Sequence, residues 1–226
     1  MNRLWFLLTF GLIGTAILVS LGVWQVQRLA WKEGILARIE ARIDAPPMPL
    51  PATPDPESDA YLHVTVSGQI APEQLRVLVS QKNVGAGYRI ISPMQLDGRK
   101  VMVDRGFVRT RDAVAAPPAG VVTVSGNLQW PQETDGFTPA PDTDNNIWFA
   151  RDVPAMAATL GTAPILIVAK DVSPSDTPPT PFPVDTSRIP NDHLQYAITW
   201  FSLAAIWVGM TAYFLLRTPR SPAQKD

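Results

Sequence analysis

Two stretches free of charged side chains bound what this chain can fold into. Leu4 to Trp24 runs for 21 residues and Leu194 to Leu216 for 23. As a helix the shorter one reaches about 31 Å, the thickness of a bilayer's hydrocarbon core. Both are read as membrane-spanning helices, which leaves the middle of the 226-residue chain for one extramembrane domain. The apolar region of a cleaved leader is shorter, roughly 7–15 residues, so the first run is read as an uncleaved anchor. Two spans put both termini on one side. Arg3 before the first, with Arg217, Arg220 and Lys225 after the second, favours cytoplasmic tails. Arg28, Lys32, Arg38 and Arg42 oppose that orientation, but they head a translocated segment of more than ~60 residues, which largely escapes the charge rule. No Arg- and Ser-rich presequence precedes the first run, and a bacterial inner membrane with a periplasmic central domain is the expected location.

Composition removes several classes. With 19 basic against 20 acidic residues there is no electrostatic footprint for nucleic acid, and membrane lipid is the surface partner the two spans call for. No cysteine means no disulfide, thiolate metal site or thiol nucleophile. His63 and His193 are the only imidazoles, too few for a zinc centre of the usual three or four ligands.

Beyond Trp24, Leu29, Leu36, Ile39 and Ile43 recur at helical spacing among charged residues, so the first helix is expected to continue as an amphipathic stalk over 25–45. Six prolines between Pro46 and Pro56 end it, and six more lie between Pro174 and Pro190. The spacing therefore divides the chain into a span at 4–24, the stalk, a proline-rich linker at 46–59, a domain at 60–172, a second linker at 173–190 and a span at 194–216. Within the domain, period-two or β-branched runs predict strands at Tyr61–Ile70, Leu75–Gln81, Tyr88–Leu96, Arg99–Val108, Val121–Trp130, Ile147–Ala150 and Ile165–Lys170. Asp97-Gly98 is a two-residue hairpin signal. Asp152, Pro154 and Gly161 frame one short helix over Val153–Leu160. The fold class is a membrane protein with two transmembrane α-helices, N- and C-terminal, flanking a mainly antiparallel β extramembrane domain, sheet or small barrel, with a short helix.

The segment Asn191 to Trp200 enters the second run. Asn191 or Asp192 can cap the helix, which leaves His193 in its first turn, where the helix dipole favours the neutral ring that a metal takes. Trp200, seven residues on, shares its face, with Ala197 and Ala204 as a small-residue groove. That set is either a slot for a flat apolar ligand or an interfacial histidine beside a packing tryptophan. Arg28 and Lys32 lie one to two turns beyond the first run, at the depth expected of His193. They can meet carboxylates in the same pocket, or snorkel and pair with Glu33. His63, in an alternating strand, reads as a sheet-surface residue. Asp104-Arg105-Gly106 reads as a bulge glycine between structural charges, and Gly85-Ala86-Gly87 as a turn. Gly11 and Thr15 are candidates for packing the two helices together. No nucleophile can be paired with a base.

These motifs carry a resemblance. Gly22-Val23-Trp24-Gln25-Val26-Gln27-Arg28-Leu29-Ala30-Trp31-Lys32 resembles the opening signature of the surfeit locus protein 1 family, and Gly87-Tyr88-Arg89, Ser92-Pro93 and Val103-Asp104-Arg105-Gly106-Phe107 its central motifs. Asn191, His193-Leu194, Tyr196-Ala197 and Thr199-Trp200 resemble its closing pattern, with Asp192 where asparagine is usual. The resemblance implies a non-enzymatic assembly factor for haem-copper terminal oxidases, chiefly the aa3-type cytochrome c oxidase. Such a factor binds haem a and assists its insertion into catalytic subunit I, with subunit I and haem a synthase as partners. His193 then matches the position of an axial ligand to the haem iron, with Trp200 beside it and Arg28 and Lys32 toward the carboxylates. A haem-independent scaffold that stabilises an assembly intermediate is the alternative.

Overall fold

A computed structural model describes residues 3–81, 84–174, 178–186 and 189–217, so Arg220 and Lys225 lie outside the described residues. In chain order the elements are α1 (Arg3–Ile43), β1 (Met48–Pro49), β2 (His63–Ile70), β3 (Leu75–Gln81), β4 (Gly85–Leu96), β5 (Arg99–Arg109), β6 (Val122–Leu128), β7 (Ile147–Trp148), α2 (Val153–Leu160), β8 (Leu166–Ser173) and α3 (His193–Arg217). They form two compact units, Met1–Arg38 with Ser187–Asp226, and Ile39–Thr186.

The first unit holds α3 and all but the last turn of α1, and both helices are long and apolar enough to cross a membrane. At 41 residues α1 extends about 60 Å, twice a bilayer core. The proline run beginning at Pro46 follows directly on its end.

The second unit is the β domain. Its strands run β1-β2-β6-β8-β5-β4-β3-β7, and β2 pairs again with β4 through Gln69–Gln95 and Ile70–Met94. The circuit β2-β6-β8-β5-β4 therefore closes into a five-stranded barrel. Most pairings are antiparallel; β1–β2, β3–β7 and β5–β8 are parallel. Side-chain alternation divides the interior in two. From β5, Val101 and Val103 join Val64, Val66, Val124 and Ile167 inside the barrel. Met102 points the other way, with Leu166 and Val168 of β8, into a second core closed by Leu75, Trp148 and Met156 of α2. Strands buried on both faces read as unbroken apolar runs, as Val101-Met102-Val103 and Ile165–Ala169 do.

Several sequence expectations match at residue level. Asp152 caps α2 by accepting from the Ala155 N–H, and Gly161 closes it at φ 63°. Leu96 and Arg99 pair across Asp97-Gly98, with Gly98 at φ 78°. Others need correction. Tyr61 precedes its strand at φ 67°, where its N–H donates to the Leu128 carbonyl (2.8 Å), and β2 begins at His63. Ala86 and Gly87 are already paired with Ser80 and Val79, so β4 starts before the predicted turn is over. A side chain at Gly87 would enter the Phe107 ring. His63 is not a surface residue. It is 8% exposed, and its Nδ1 lies 2.7 Å from the Ala45 carbonyl and its Nε2 2.8 Å from Ser125 Oγ. The expected bulge is present: Arg105 and Gly106 together face Ile90 between the pairs Arg89–Phe107 and Ile91–Asp104.

Candidate functional site

The first unit positions His193. Three glycines of α1 form notches that receive side chains of α3: Gly11 faces Thr211, Gly14 the Trp207 indole, and Gly22 the Phe201 ring, which a Cβ would approach to 2.7 Å. Trp207 Nε1 donates to the Gly11 carbonyl at 3.1 Å. Thr15, by contrast, bonds back within its own helix, also to the Gly11 carbonyl (2.8 Å). The partners run in opposite directions along the two helices, so the pair is antiparallel. Ala197 and Ala204 are buried in this unit, 2% and 5% exposed. The two small residues expected to form a groove beside Trp200 are thus both buried.

At the head of α3 the Asp192 carbonyl takes the first helical bond, from the Tyr196 N–H (3.1 Å). His193 is half-buried and its Nδ1 sits 2.8 Å from Gln25 Oε1. Gln25, 8% exposed, lies within the opening signature but carries no charge that marks it in the sequence. The signal that finds it is the seven-residue spacing Gly11, Leu18, Gln25, Lys32, which puts an amide on the same stripe of α1 as the glycine notch. Lys32 Nζ donates to the Pro190 carbonyl, so both polar members of that stripe hold the start of α3. Among the described residues none hydrogen-bonds His193 Nε2. Asn191 Oδ1 is buried without a hydrogen-bond partner among the described residues, so of the two candidate caps it is Asp192 that stands at the helix start.

Arg28 occupies the flank of α1. It is exposed, its guanidinium carbon lies 5.8 Å from the Trp24 ring and 4.9 Å from the Trp31 ring, and it has no ion pair among the described residues. Those rings are themselves 49% and 57% exposed. Arg28 thus presents cationic N–H groups beside two indoles. Trp200 is half-buried two turns down α3. The structure joins Gln25, Lys32 and the His193 turn, and sets Arg28 and Trp200 to either side.

In the β domain the charged motif is fully occupied. Asp104 is 1% exposed; one carboxylate oxygen accepts from Arg89 Nη1 and the other from the Gly106 N–H (3.0 Å). Arg89 also lies 4.2 Å from the Phe182 ring centroid. Burial pushes the Asp104 carboxyl up, opposed by the Arg89 and Arg151 charges. Every oxygen is engaged, which is the geometry of a structural ion pair rather than a catalytic acid. Burial raises Glu133 too, but the Arg151 hydrogen bonds and charge outweigh it and hold that carboxyl below its usual range. Arg151 Nη1 also donates to Gln129 Oε1 (2.7 Å).

Residues 12–205 match the model of the SURF1 family, a span that includes Gln25, Arg28, Lys32, His193 and Trp200. The chain is similar to the SURF1-like protein of Monosiga brevicollis, 31% identical over 86% of this chain and 82% of that protein. It is likewise similar to surfeit locus protein 1 of Rattus norvegicus, 32% identical over 95% and 76%, and to the SURF1-like protein of Rickettsia felis, 31% over 85% and 89%. A match across two membrane-length helices, the β domain between them and the His193 turn makes this chain a member of the SURF1 family.

Proposed function

We propose that the protein is an assembly factor for a haem-copper terminal oxidase of the aa3 type. In this reading it sits in a bacterial inner membrane, binds haem a through His193 and assists its insertion into catalytic subunit I. The observation that carries the reading is the His193 imidazole at the first turn of a membrane-length helix: one nitrogen is hydrogen-bonded to Gln25, and the other has no hydrogen-bond partner among the described residues. A neutral imidazole with a free ring nitrogen is what a haem iron takes as an axial ligand. When bound, the haem supplies the redox-active iron that the oxidase needs. The chain's own residues orient the ligand ring through Gln25, offer Arg28 and Lys32 to anionic groups, and fix the head of α3 through the Lys32–Pro190 bond. The fit lies at the exposed side of the His193 turn, since Ala197 and Ala204 on that helix are themselves buried.

A haem-independent scaffold is favoured by a different feature. Phe137 is 95% exposed on a turn held by its N–H and the Thr138 hydroxyl, which both donate to Asp135 (2.9 Å each), an aromatic presented for gripping an oxidase subunit. The visible spectrum of detergent-purified protein co-expressed with haem a synthesis separates the two. A haem a spectrum in wild type that is lost in His193→Ala upholds the haem reading; a colourless wild type supports the scaffold.

A further inference from the structure

We infer that Gln25 is a positioning residue that holds His193 as its Nδ1–H tautomer, directing the Nε2 lone pair outward as the ligand atom. This deepens, and rests on, the reading of His193 as a metal-binding imidazole. An unrestrained neutral imidazole exchanges its proton between two nitrogens, and only the deprotonated one can ligate. The carbonyl end of the Gln25 amide lies 2.8 Å from Nδ1, and an amide oxygen can only accept, so the proton stays on Nδ1. Gln25 is 8% exposed and sits in the helix pair, so water does not readily replace it. Its side chain is placed by the same stripe of α1 that carries Gly11 and Lys32. The ligand atom is therefore prepared by α1, although the histidine belongs to α3. Histidines at metal sites commonly donate their second N–H to such an acceptor, and losing it typically costs about 10–100-fold in metal affinity.

The test uses the full chain in detergent with ¹⁵N-labelled histidine, before any porphyrin is added. Wild type is expected to show His193 protonated at Nδ1 and bare at Nε2. Gln25→Leu should give the averaged pattern of an unrestrained ring. Gln25→Glu keeps an acceptor oxygen, and in spectra taken at a pH high enough to leave the ring neutral beside that carboxylate it should restore the Nδ1–H form. His63, bonded to Ala45 and Ser125, is the internal reference and should not change. Iron protoporphyrin titrated into the same samples should bind about 10-fold or more weakly to Gln25→Leu. An unchanged His193 pattern in Gln25→Leu overturns the inference, as does a Gln25→Glu sample that behaves like Gln25→Leu. A wild type that shows the expected tautomer and loses it in Gln25→Leu, yet binds no porphyrin, upholds the Gln25 assignment and overturns the haem reading instead.

Discussion

Replacing Gly106 by alanine should cost the β domain far more than a glycine-to-alanine change elsewhere. Gly106 has φ 119°, which for a residue with a side chain costs on the order of 1–3 kcal/mol. The added methyl would also run into the Thr180 carbonyl and come within 2.8 Å of Pro181 Cα. The segment around Thr180 must then move, which breaks the two backbone bonds between Phe107 and Thr180 (2.7 and 3.1 Å), worth about 1 kcal/mol each. It also pulls Phe182 from the Arg89 guanidinium, roughly another 1 kcal/mol. The total is about 4–6 kcal/mol, comparable to the whole stability of many domains. Gly161→Ala is the control, since its φ is 63° and a Cβ there would meet nothing within 4 Å; it should cost about 1 kcal/mol. Denaturant unfolding of both variants gives the totals, and amide exchange at Phe107 and Thr180 localises the damage. Equal costs for the two variants, or unchanged protection at Thr180, would refute the argument that the 178–182 segment is seated on a glycine.

Asp104→Asn should destabilise the β domain by about 3–5 kcal/mol in thermal unfolding, because it leaves the buried Arg89 without its counter-ion; pairing Asp104→Leu with Arg89→Met should recover most of that. Glu133 gives a pH signature. Its folded carboxyl titrates below the ordinary value of 4.5, so the stability it contributes is present above that value and is lost as pH falls through the lower, folded one. The protection factor of the Arg151 amide, which donates to Glu133 at 2.9 Å, should hold above pH 4.5 and decline below it, and in Glu133→Gln that decline should vanish.

Much of this was legible in local pattern. The Asp97-Gly98 hairpin and the Asp152 and Gly161 caps depend on two to ten consecutive residues, and each appears where its chemistry places it. Long-range outcomes were not legible. Closure of the barrel through β2 and β4 takes two residue pairs, and nothing in the period of either strand reports them. β1 is two residues in a proline run, where the same residues that exclude a helix allow a short parallel bridge to Val64 and Thr65. His63 looked like a surface residue because its acceptor, the Ala45 carbonyl, is a backbone group that sequence does not mark. At the candidate site, His193 announced itself by chemistry and helix position. Gln25 did not, because an uncharged amide becomes informative only once the stripe it shares with Gly11 is seen to face α3.

The glycine notches have a consequence for register. Gly11 with Thr211, Gly14 with Trp207 and Gly22 with Phe201 are three close fits that hold together at only one alignment of the antiparallel pair. Slide α3 by one turn and the Trp207 indole, already beside the Phe10 ring, loses the Gly14 notch, while the histidine at its far end loses its amide. Gly14 and Gln25 are separated by 11 residues, about 16 Å along the helix. A steric vernier deep in the apolar segment thus fixes which atom of an imidazole is offered at its mouth. A substitution chosen only for its hydrophobicity could shift that alignment without altering any polar group.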